Sequence, residues 1–589
     1  MDNPSNFYLA QKEKYSLRAS QLYKKMTLLS TLRIIIFLAT VLGVYLTFKK
    51  WQIAAMIAVT GMLVFLYLLS KYTDLKSERS LKLALTDINV NELEIASGNF
   101  HNRDNGLQFQ NPTHFYSLDI DLFGRGSFFQ FINRTSIKEG QQLLADVLMS
   151  NDINAINTRQ EAIKELASKP EWRQLYAATA SLIQVETPAE IIINWLKEHQ
   201  SFLPKGMRWI PYVFLAGTFG VFTLFFFEII TINVLGLWLL LGLLITGRYL
   251  KKINNLSSNT EKVKDTFKQY ALLLNQIEKE HFSSELLLNQ QNKIQIEAEK
   301  ASDIFKKFSK SLDALDNRNN FISAIFGNGF FLTDLKNSYK VEQWLAVYKD
   351  KVEDWFEVVS FFDAYNSLGN YAFNHPTYTY PVINESKNAI KAKNLGHPLL
   401  KSDKRVDNDL TIENEQFFIV TGANMAGKST FLRTVSLHIV MANVGLPVCA
   451  TSSSYNPVKL ITSMRTSDSL TDDSSYFFSE LTRLKFIVDA IQKEPYFIIL
   501  DEILKGTNST DKAIGSRKFV EKLVASNATG IIATHDLSLC EISAELEEVK
   551  NYYFDAEIIN DELHFDYTFK SGVCKNMNAS FLLKKMEII

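Results

Sequence analysis

The chain has 589 residues, which is too long for one compact core, so several domains are expected. Its 63 basic and 64 acidic residues give a formal net charge of −1. This charge excludes a globally basic nucleic-acid-binding protein but leaves a local basic patch open. The three cysteines have neither paired nor metal-ligand spacing, which argues against a disulfide scaffold and a zinc site. They are Cys449, Cys540 and Cys574.

Four apolar segments, arranged in two pairs, approach the length of a membrane-spanning helix of about 20 residues. Arg33, near one end of the first segment, is the only charge inside them, and Glu228 separates the last two. Buried helices of a large soluble protein are the alternative, which the paired arrangement disfavours. The segments are Met26–Phe48, Trp51–Ser70, Trp209–Phe227 and Ile229–Gly247. We therefore predict two transmembrane hairpins, at residues 26–72 and 206–250.

Lysines and arginines flank the outer ends of both predicted hairpins, whereas the turn at 228–233 has no basic residue. Lys49 and Lys50 in the first turn run against this pattern but are outnumbered. Positive charge is typical of the cytoplasmic side. We therefore expect a multi-pass protein of the inner (cytoplasmic) membrane, with a cytoplasmic tail at 1–25 and its soluble parts in the cytoplasm.

The remaining chain divides into helical and mixed regions. Residues 73–205 and 251–381 have helical periodicity, and mixed charges in the second region predict long solvated helices rather than a DNA-gripping surface. From 382 to 589, short apolar strands alternate with helices, which predicts an α/β domain with a largely parallel sheet. The predicted strands are Phe417–Val420, Pro495–Leu500 and Gly530–Ala533, followed by a hairpin of 552–559 and 562–569 with a turn at Asn560-Asp561.

The segment after the first of these strands fits the phosphate-loop pattern G-x-x-x-x-G-K-[ST] and precedes an apolar helix. Its glycines let backbone N–H groups face phosphate oxygens, Lys428 can reach the β- and γ-phosphates, and the Ser429 hydroxyl can bind Mg²⁺. We predict ATP as the ligand and Mg²⁺ as the cofactor. The predicted nucleotide-binding residues are Gly422, Ala423, Asn424, Met425, Ala426, Gly427, Lys428, Ser429 and Thr430.

Two further strands end in polar residues. Asp501 can hold Mg²⁺ through water, and Glu502 can polarise the attacking water. His535 either senses the γ-phosphate or caps the helix that begins after Asp536. The predicted catalytic residues are therefore Glu502, His535 and Lys428, and the predicted metal ligands are Ser429 and Asp501.

These motifs together resemble the MutS family of DNA mismatch-repair ATPases. The Asn424-Met425 pair, the run Asp501–Asp511 and Ala533-Thr534-His535 are similar to three family signatures. Gly396-His397-Pro398 is similar to the family's Arg-His-Pro strand. Arg465–Asp468 and Ser475–Glu480 resemble the segment that reaches the ATP of the opposing subunit. The resemblance implies a homodimer in which Ser475 contacts the nucleotide of the partner.

The resemblance extends to residues 110–205 and 340–585, including a start of the lever domain at 123–144. It implies an α/β P-loop (ABC/MutS-like) ATPase domain at the C-terminus, preceded by an all-α lever/core domain. The two transmembrane hairpins, predicted from the apolar segments, are a departure from the family. The mismatch-reading domain, a basic clamp insertion and the C-terminal helix-turn-helix have no counterpart. Arg405 stands near the family's adenine-contacting aromatic residue, and Leu504 replaces a glycine.

The main functional hypothesis is a membrane-anchored, MutS-like ATPase that hydrolyses ATP as a dimer and moves helical levers. A DNA-binding, mismatch-repair-related accessory tethered to the membrane is the alternative, so DNA stays open as a partner. An ABC-type transporter is disfavoured, because the Leu-Ser-Gly-Gly-Gln signature is absent. Apart from Arg33 and the turn residue Glu228, the spans also lack the ionisable groups that a polar pathway usually needs.

Overall fold

The computed structural model describes residues 3–183, 185, 187–295, 299–316, 318, 320–423, 425–465, 476–559 and 562–574. A helical region precedes an α/β domain. The helices are α1 (Pro4–Thr47), α2 (Trp51–Ala96), α3 (Phe128–Ile132), α4 (Lys138–Met149), α5 (Ile156–Ala167), α6 (Pro170–Ser181), α7 (Ala189–Glu198), α8 (Ile210–Phe226), α9 (Ile232–Gly247), α10 (Leu250–Lys279), α11 (Glu285–Lys293), α12 (Ala301–Asp316), α13 (Phe321–Phe331), α14 (Thr333–Tyr348), α15 (Val352–Asn374), α16 (Lys428–Val444), α17 (Tyr476–Ile491) and α18 (Ser509–Ala525). The strands are β1 (Val382–Ile383), β2 (Asn388–Leu395), β3 (Asn408–Glu413), β4 (Phe417–Gly422), β5 (Ser452–Tyr455), β6 (Lys459–Ser463), β7 (Tyr496–Asp501), β8 (Thr529–Ala533), β9 (Val549–Phe554), β10 (Ala556–Ile559), β11 (Glu562–Phe565) and β12 (Lys570–Ser571).

Helices α1 and α2 form a long hairpin of 44 and 46 residues, so each is about 66 to 69 Å long. Each contains an 18-residue window of mean hydropathy above 2, and these windows are 0% and 11% buried. By length and composition, two helices of the described residues could cross a membrane, or three if α9 and the bent start of α10 count as one span. Helix α8 is apolar but shorter, with 17 residues.

The segment predicted as a cytoplasmic tail, residues 1–25, is helical from Pro4 onward. Residues from Pro4 onward belong to α1, because one face of its first half is apolar at intervals of seven residues. Tyr8, Tyr15 and Leu22 on this face are buried. The Tyr8 hydroxyl donates to Asn374 Oδ1 of α15 at 2.6 Å. The polar start of the chain is therefore packed onto the helical region.

The helical region has an aromatic core, and its helices are less solvated than the mixed charges suggest. One face of α10 is buried, including Phe267, which makes edge contacts with Phe305 and Phe308 of α12. Helix α15 is buried along almost its whole length, and seven residues connect it to β1. The sequence analysis did not identify α13 as a separate apolar helix.

The central sheet of the α/β domain has the strand order β12-β9-β4-β8-β7-β6. Its pairings are parallel except for that of the edge strand β12, which confirms the three predicted strands and the largely parallel sheet. A second sheet has the order β1-β5-β2-β3, and β10 pairs with β11 in a late hairpin. This hairpin is shorter than predicted, because residues 552–554 belong to β9 of the central sheet. The turn residues Asn560 and Asp561 lie outside the described residues. Because β4, β7 and β8 are adjacent and parallel, their following loops meet at one edge of the sheet.

Candidate nucleotide-binding site

The loop between β4 and α16 has the conformation that a phosphate loop requires. Gly422 has a φ of 146°, and a Cβ there would lie 2.5 Å from the Phe554 carbonyl oxygen. Gly427 has a φ of 104° immediately before the first helical residue of α16. Only glycine adopts these conformations without strain. The first turn of α16 lines the cleft, and the N–H groups of a first helical turn lack intrahelical partners, as in sites that bind phosphate. Asn424 lies outside the described residues.

Lys428 is the first residue of α16, and its side chain is buried beneath the loop. Its ammonium donates to the carbonyl oxygens of Gly422 at 2.8 Å and Ala423 at 3.0 Å. Burial lowers the pKa of Lys428, while the nearby carboxylates of Asp501 and Glu502 oppose this shift. The lysine is thus held by two neutral carbonyl groups at the position where an anionic ligand would be the stronger partner.

Ser429 and Asp501 meet across the cleft. The Ser429 hydroxyl donates to Asp501 Oδ2 at 2.7 Å, which joins the start of α16 to the end of β7. A hydroxyl and one carboxylate beside a phosphate loop match the oxygen ligands that Mg²⁺ uses when substrate phosphates and water complete its shell. The described residues contain no cluster of three or more histidine, cysteine or acidic side chains fit to hold a metal alone. The two predicted ligands are thus together and fit Mg²⁺ with a nucleotide.

Glu502 and His535 form a second pair at the same edge of the sheet. Glu502 has a φ of 50°, and its N–H donates to the Ala533 carbonyl oxygen at 2.9 Å, which fixes its backbone beside β8. Glu502 Oε1 lies 2.9 Å from His535 Nε2. The hydrogen bond with His535, supported by the charges of His535 and Lys505, lowers the pKa of Glu502 to about 2. Glu502 is therefore ionised at neutral pH.

The ring of His535 also approaches Lys428, since its Nε2 is 3.2 Å from the lysine Nζ. One ring nitrogen cannot donate to Glu502 and accept from Lys428 at the same time. The carboxylate is the stronger partner, so we assign the Nε2 proton to the bond with Glu502. The capping role left open for His535 belongs instead to Asp536, whose side chain accepts from the Ser538 N–H at 3.0 Å.

The cleft has a volume of about 640 Å³ and is lined by these polar groups together with apolar side chains. Tyr567, which the sequence patterns did not predict, also lines the cleft, and its ring would be 3.1 Å from a Cβ at Gly427. Arg405 also lines the cleft, but its guanidinium is paired with Asp407 at 2.5 and 3.1 Å. An aromatic side chain is therefore available beside the phosphate loop although Arg405 is not aromatic.

The structure places the other predicted site residues in different environments. Ala426 is buried beneath the loop, whereas Met425 is exposed and Thr430 lines the cleft. Leu504 has a φ of 60°, so its backbone has the left-handed conformation that suits the glycine it replaces. Ser475 and residues 466–468 lie outside the described residues, and the contact of Ser475 with a partner stays a prediction.

The fold and site define a helical region followed by an α/β sheet domain that carries a phosphate-loop pattern. Residues 418–585 match the family description MutS domain V. The chain is 31% identical over 216 residues to human MutS protein homolog 4, and 32% identical over 212 residues to the DNA mismatch repair protein MutS of Methanococcoides burtonii. These alignments cover 35% and 34% of this chain but only 23% and 24% of the relatives. They support the MutS family for the C-terminal region, while the chain spans about a quarter of the relatives' length.

Proposed function

We propose that this chain is a membrane-anchored, MutS-like ATPase that binds and hydrolyses Mg-ATP as a homodimer and moves its helical region. The observation that carries the proposal is the convergence of Lys428, Ser429, Asp501, Glu502 and His535 at one edge of the sheet. These groups come from three separate segments, and a chance phosphate-loop match would not bring them together. The match to MutS domain V supports the same reading.

In this proposal, phosphate oxygens replace the two carbonyl partners of Lys428, and the N–H groups of the loop bind the same phosphates. Ser429 and Asp501 would hold Mg²⁺, which would neutralise phosphate charge when bound. Glu502 accepts a hydrogen bond from the attacking water and orients it. Because its pKa is about 2, Glu502 is a weak proton acceptor, so its main contribution is orientation and polarisation of water. His535 donates to Glu502 and thereby holds the carboxylate in place beside Lys428.

The hairpin of α1 and α2 supplies the proposed membrane anchor, and α8 with α9 supplies a second. Apolar side chains of α1 and α2 are exposed over the length that a bilayer would cover. At the other end of this hairpin, Glu92 of α2 contacts Asn370 and Asn374 of α15. Since α15 leads into the α/β domain, movement of that domain would reach the hairpin directly.

ATP turnover by the full chain in detergent or lipid tests the proposal. We expect Mg-dependent hydrolysis that rises more steeply than linearly with protein concentration, because the proposed active form is a dimer. Lys428→Ala should abolish ATP binding, whereas Lys518→Ala, an exposed lysine on α18, should leave binding and turnover unchanged. Full activity of a strictly monomeric protein would refute the dimer, and normal turnover of Lys428→Ala would refute the site.

A DNA-binding accessory role is the second candidate, favoured by relatives whose names describe DNA mismatch repair proteins. Binding of duplex, mismatched or branched DNA that weakens as salt rises, together with DNA-stimulated ATP turnover, would support this role. An unchanged ATPase rate and no salt-sensitive binding would exclude it and leave the membrane-anchored motor.

A further inference from the structure

Helix α13 is a short apolar helix with an exposed aromatic face. Its 11 residues contain no charged side chain. Phe321, Ile322 and Phe326 are 77%, 67% and 52% exposed. In water this face would be an unfavourable apolar patch. At 11 residues, α13 is too short to be recognised as a membrane span from the sequence.

Helix α13 packs closely on α8 and α9, the second proposed membrane hairpin. A Cβ at Gly242 of α9 would lie 2.2 Å from the Gly329 carbonyl oxygen of α13, so the two backbones touch without a side chain between them. Such contacts between small residues are typical of helix packing in membranes. Phe330 of α13 also packs against Phe222 of α8, with ring centroids 5.1 Å apart.

Hydrogen bonds of one threonine link the three helices of this cluster. The Thr218 hydroxyl of α8 donates to the Phe330 carbonyl oxygen at 2.7 Å and accepts from the Trp238 indole N–H of α9 at 2.9 Å. Internal pairing of this kind is required where lipid replaces water. The cluster therefore combines an apolar exterior with hydrogen bonds between its three helices.

The base of the cluster carries the residue types that favour a membrane surface. Lys336, in the second turn of α14, lies over the Tyr212 ring of α8 at 5.2 Å, and Arg208 lies over Trp209 at 5.3 Å. Aromatic and basic side chains are enriched at the boundary between lipid and water. Arg318 precedes α13 in the chain and Asp334 follows it, and their side chains are paired at 3.1 Å.

We propose that α13 inserts into the lipid as a re-entrant helix beside α8 and α9, the second proposed membrane hairpin. The chain leaves the helical region at the end of α12 and returns to it at the start of α14. These helices pack together, with Phe308 stacked on Trp344 at 3.7 Å, so both ends of α13 stay on the same side. Acyl chains are the occupant of the exposed face, because it continues the apolar surfaces of α8 and α9. This inference rests on the proposed membrane attachment.

The consequence is a second connection between the membrane and the helical region. Helix α12 packs on α10, which follows the second hairpin, and α14 follows α13. A shift of α12 and α14 relative to α10 would therefore tilt α13 against α8 and α9 within the lipid. The hairpin of α1 and α2 and the cluster of α8, α9 and α13 would thus be connected to different parts of the helical region.

The test uses the full chain reconstituted in phosphatidylcholine–phosphatidylglycerol vesicles with quencher-bearing acyl chains. Single cysteines carry an environment-sensitive fluorophore at Phe326 or Ile322 on α13. Phe226, an 83% exposed residue at the end of α8, is the membrane reference, and Val347, a 64% exposed apolar residue of α14, is the matched control outside it. The native cysteines are buried, and labelling of the unmodified chain measures their background.

We expect labels at Phe326 and Ile322 to be quenched to at least half the extent of the label at Phe226, and the label at Val347 to remain unquenched. Quenching at Phe226 with both α13 labels behaving like Val347 would overturn the inference while leaving the membrane attachment intact. Cross-linking of position 326 to a second copy of the chain, together with no quenching of the label there by lipid, would also overturn the inference. Absence of quenching at all four positions would refute the membrane attachment together with the inference.

Discussion

Replacing Glu502 with glutamine removes the negative charge beside the phosphate loop while preserving the volume of the side chain. The backbone should not move, because the N–H of residue 502 is bonded to the Ala533 carbonyl oxygen at 2.9 Å. The glutamine Oε1 can still accept from His535. We expect ATP turnover to fall at least ~100-fold, within the range for losing a group that activates water. This fall corresponds to about 2.7 kcal/mol in activation free energy.

ATP affinity should change little in the same variant, because Lys428 and the loop N–H groups that would bind the phosphates are untouched. The assay measures steady-state phosphate release at saturating Mg-ATP and, separately, the Kd for ATP by titration of a fluorescent analogue. Glu521→Gln is the matched control, since this glutamate lies on α18 and pairs with Arg517 at 2.9 Å, away from the cleft. Its turnover should equal that of the wild type.

Turnover of Glu502→Gln within a few-fold of the wild type would remove Glu502 from the reaction. Loss of ATP binding in this variant would contradict the assignment of ATP binding to Lys428 and the phosphate loop and of turnover to Glu502. The pH profile gives a further check, because the pKa of Glu502 is lowered to about 2. The carboxylate stays ionised above about pH 4, so the profile near neutral pH should contain no ionisation that Glu502→Gln abolishes.

Two other substitutions test the site and the helical region. Tyr567→Ala should raise the Kd for ATP about 5- to 10-fold by removing aromatic area from the cleft, while Tyr567→Phe should keep the wild-type Kd; equal affinities of both variants would rule out a ring contact. Burial raises the pKa of Asp363 to about 7, so the folded protein holds a proton that the unfolded chain releases near pH 3.8. Its contribution to stability is therefore full below pH 3.8 and is lost as pH rises through about 7. Asp363→Asn should flatten this fall in the thermal unfolding midpoint, and an unchanged slope would contradict the assignment.

The phosphate loop and its strand could be predicted from sequence because their determinants are local. The apolar strand, the two glycines and the Lys428-Ser429 pair lie within a dozen residues, and the pattern itself requires that backbone conformation. Asp501 and His535 could be added because each ends an apolar strand of a parallel sheet, whose carboxyl ends share one edge. The bond of His535 with Glu502 rather than with a helix end could not be predicted, since it depends on side-chain geometry across two strands.

Tyr567 and α13 could not be predicted, for two different physical reasons. Tyr567 is 139 residues beyond Lys428, on the segment that follows β11, and only the pairing of late strands brings it over Gly427. Nothing in its neighbouring sequence marks a ligand contact. Helix α13 is below the length at which hydrophobicity alone indicates a span, and its environment is set by Gly242 and Gly329, which allow α9 to approach.

The contact between α2 and α15 is a buried polar cluster, at a position where apolar side chains could also pack. Burial opposes the charged form of Glu92, but the Arg134 guanidinium and the Asn374 amide outweigh it and keep the pKa of Glu92 below its ordinary value. Asn370 donates to Glu92 at 3.1 Å and accepts from Arg173 of α6 at 2.6 Å. An apolar contact tolerates sliding by one helical turn, whereas these directional bonds are lost on any such shift. The cluster therefore fixes the register of α2 on α15.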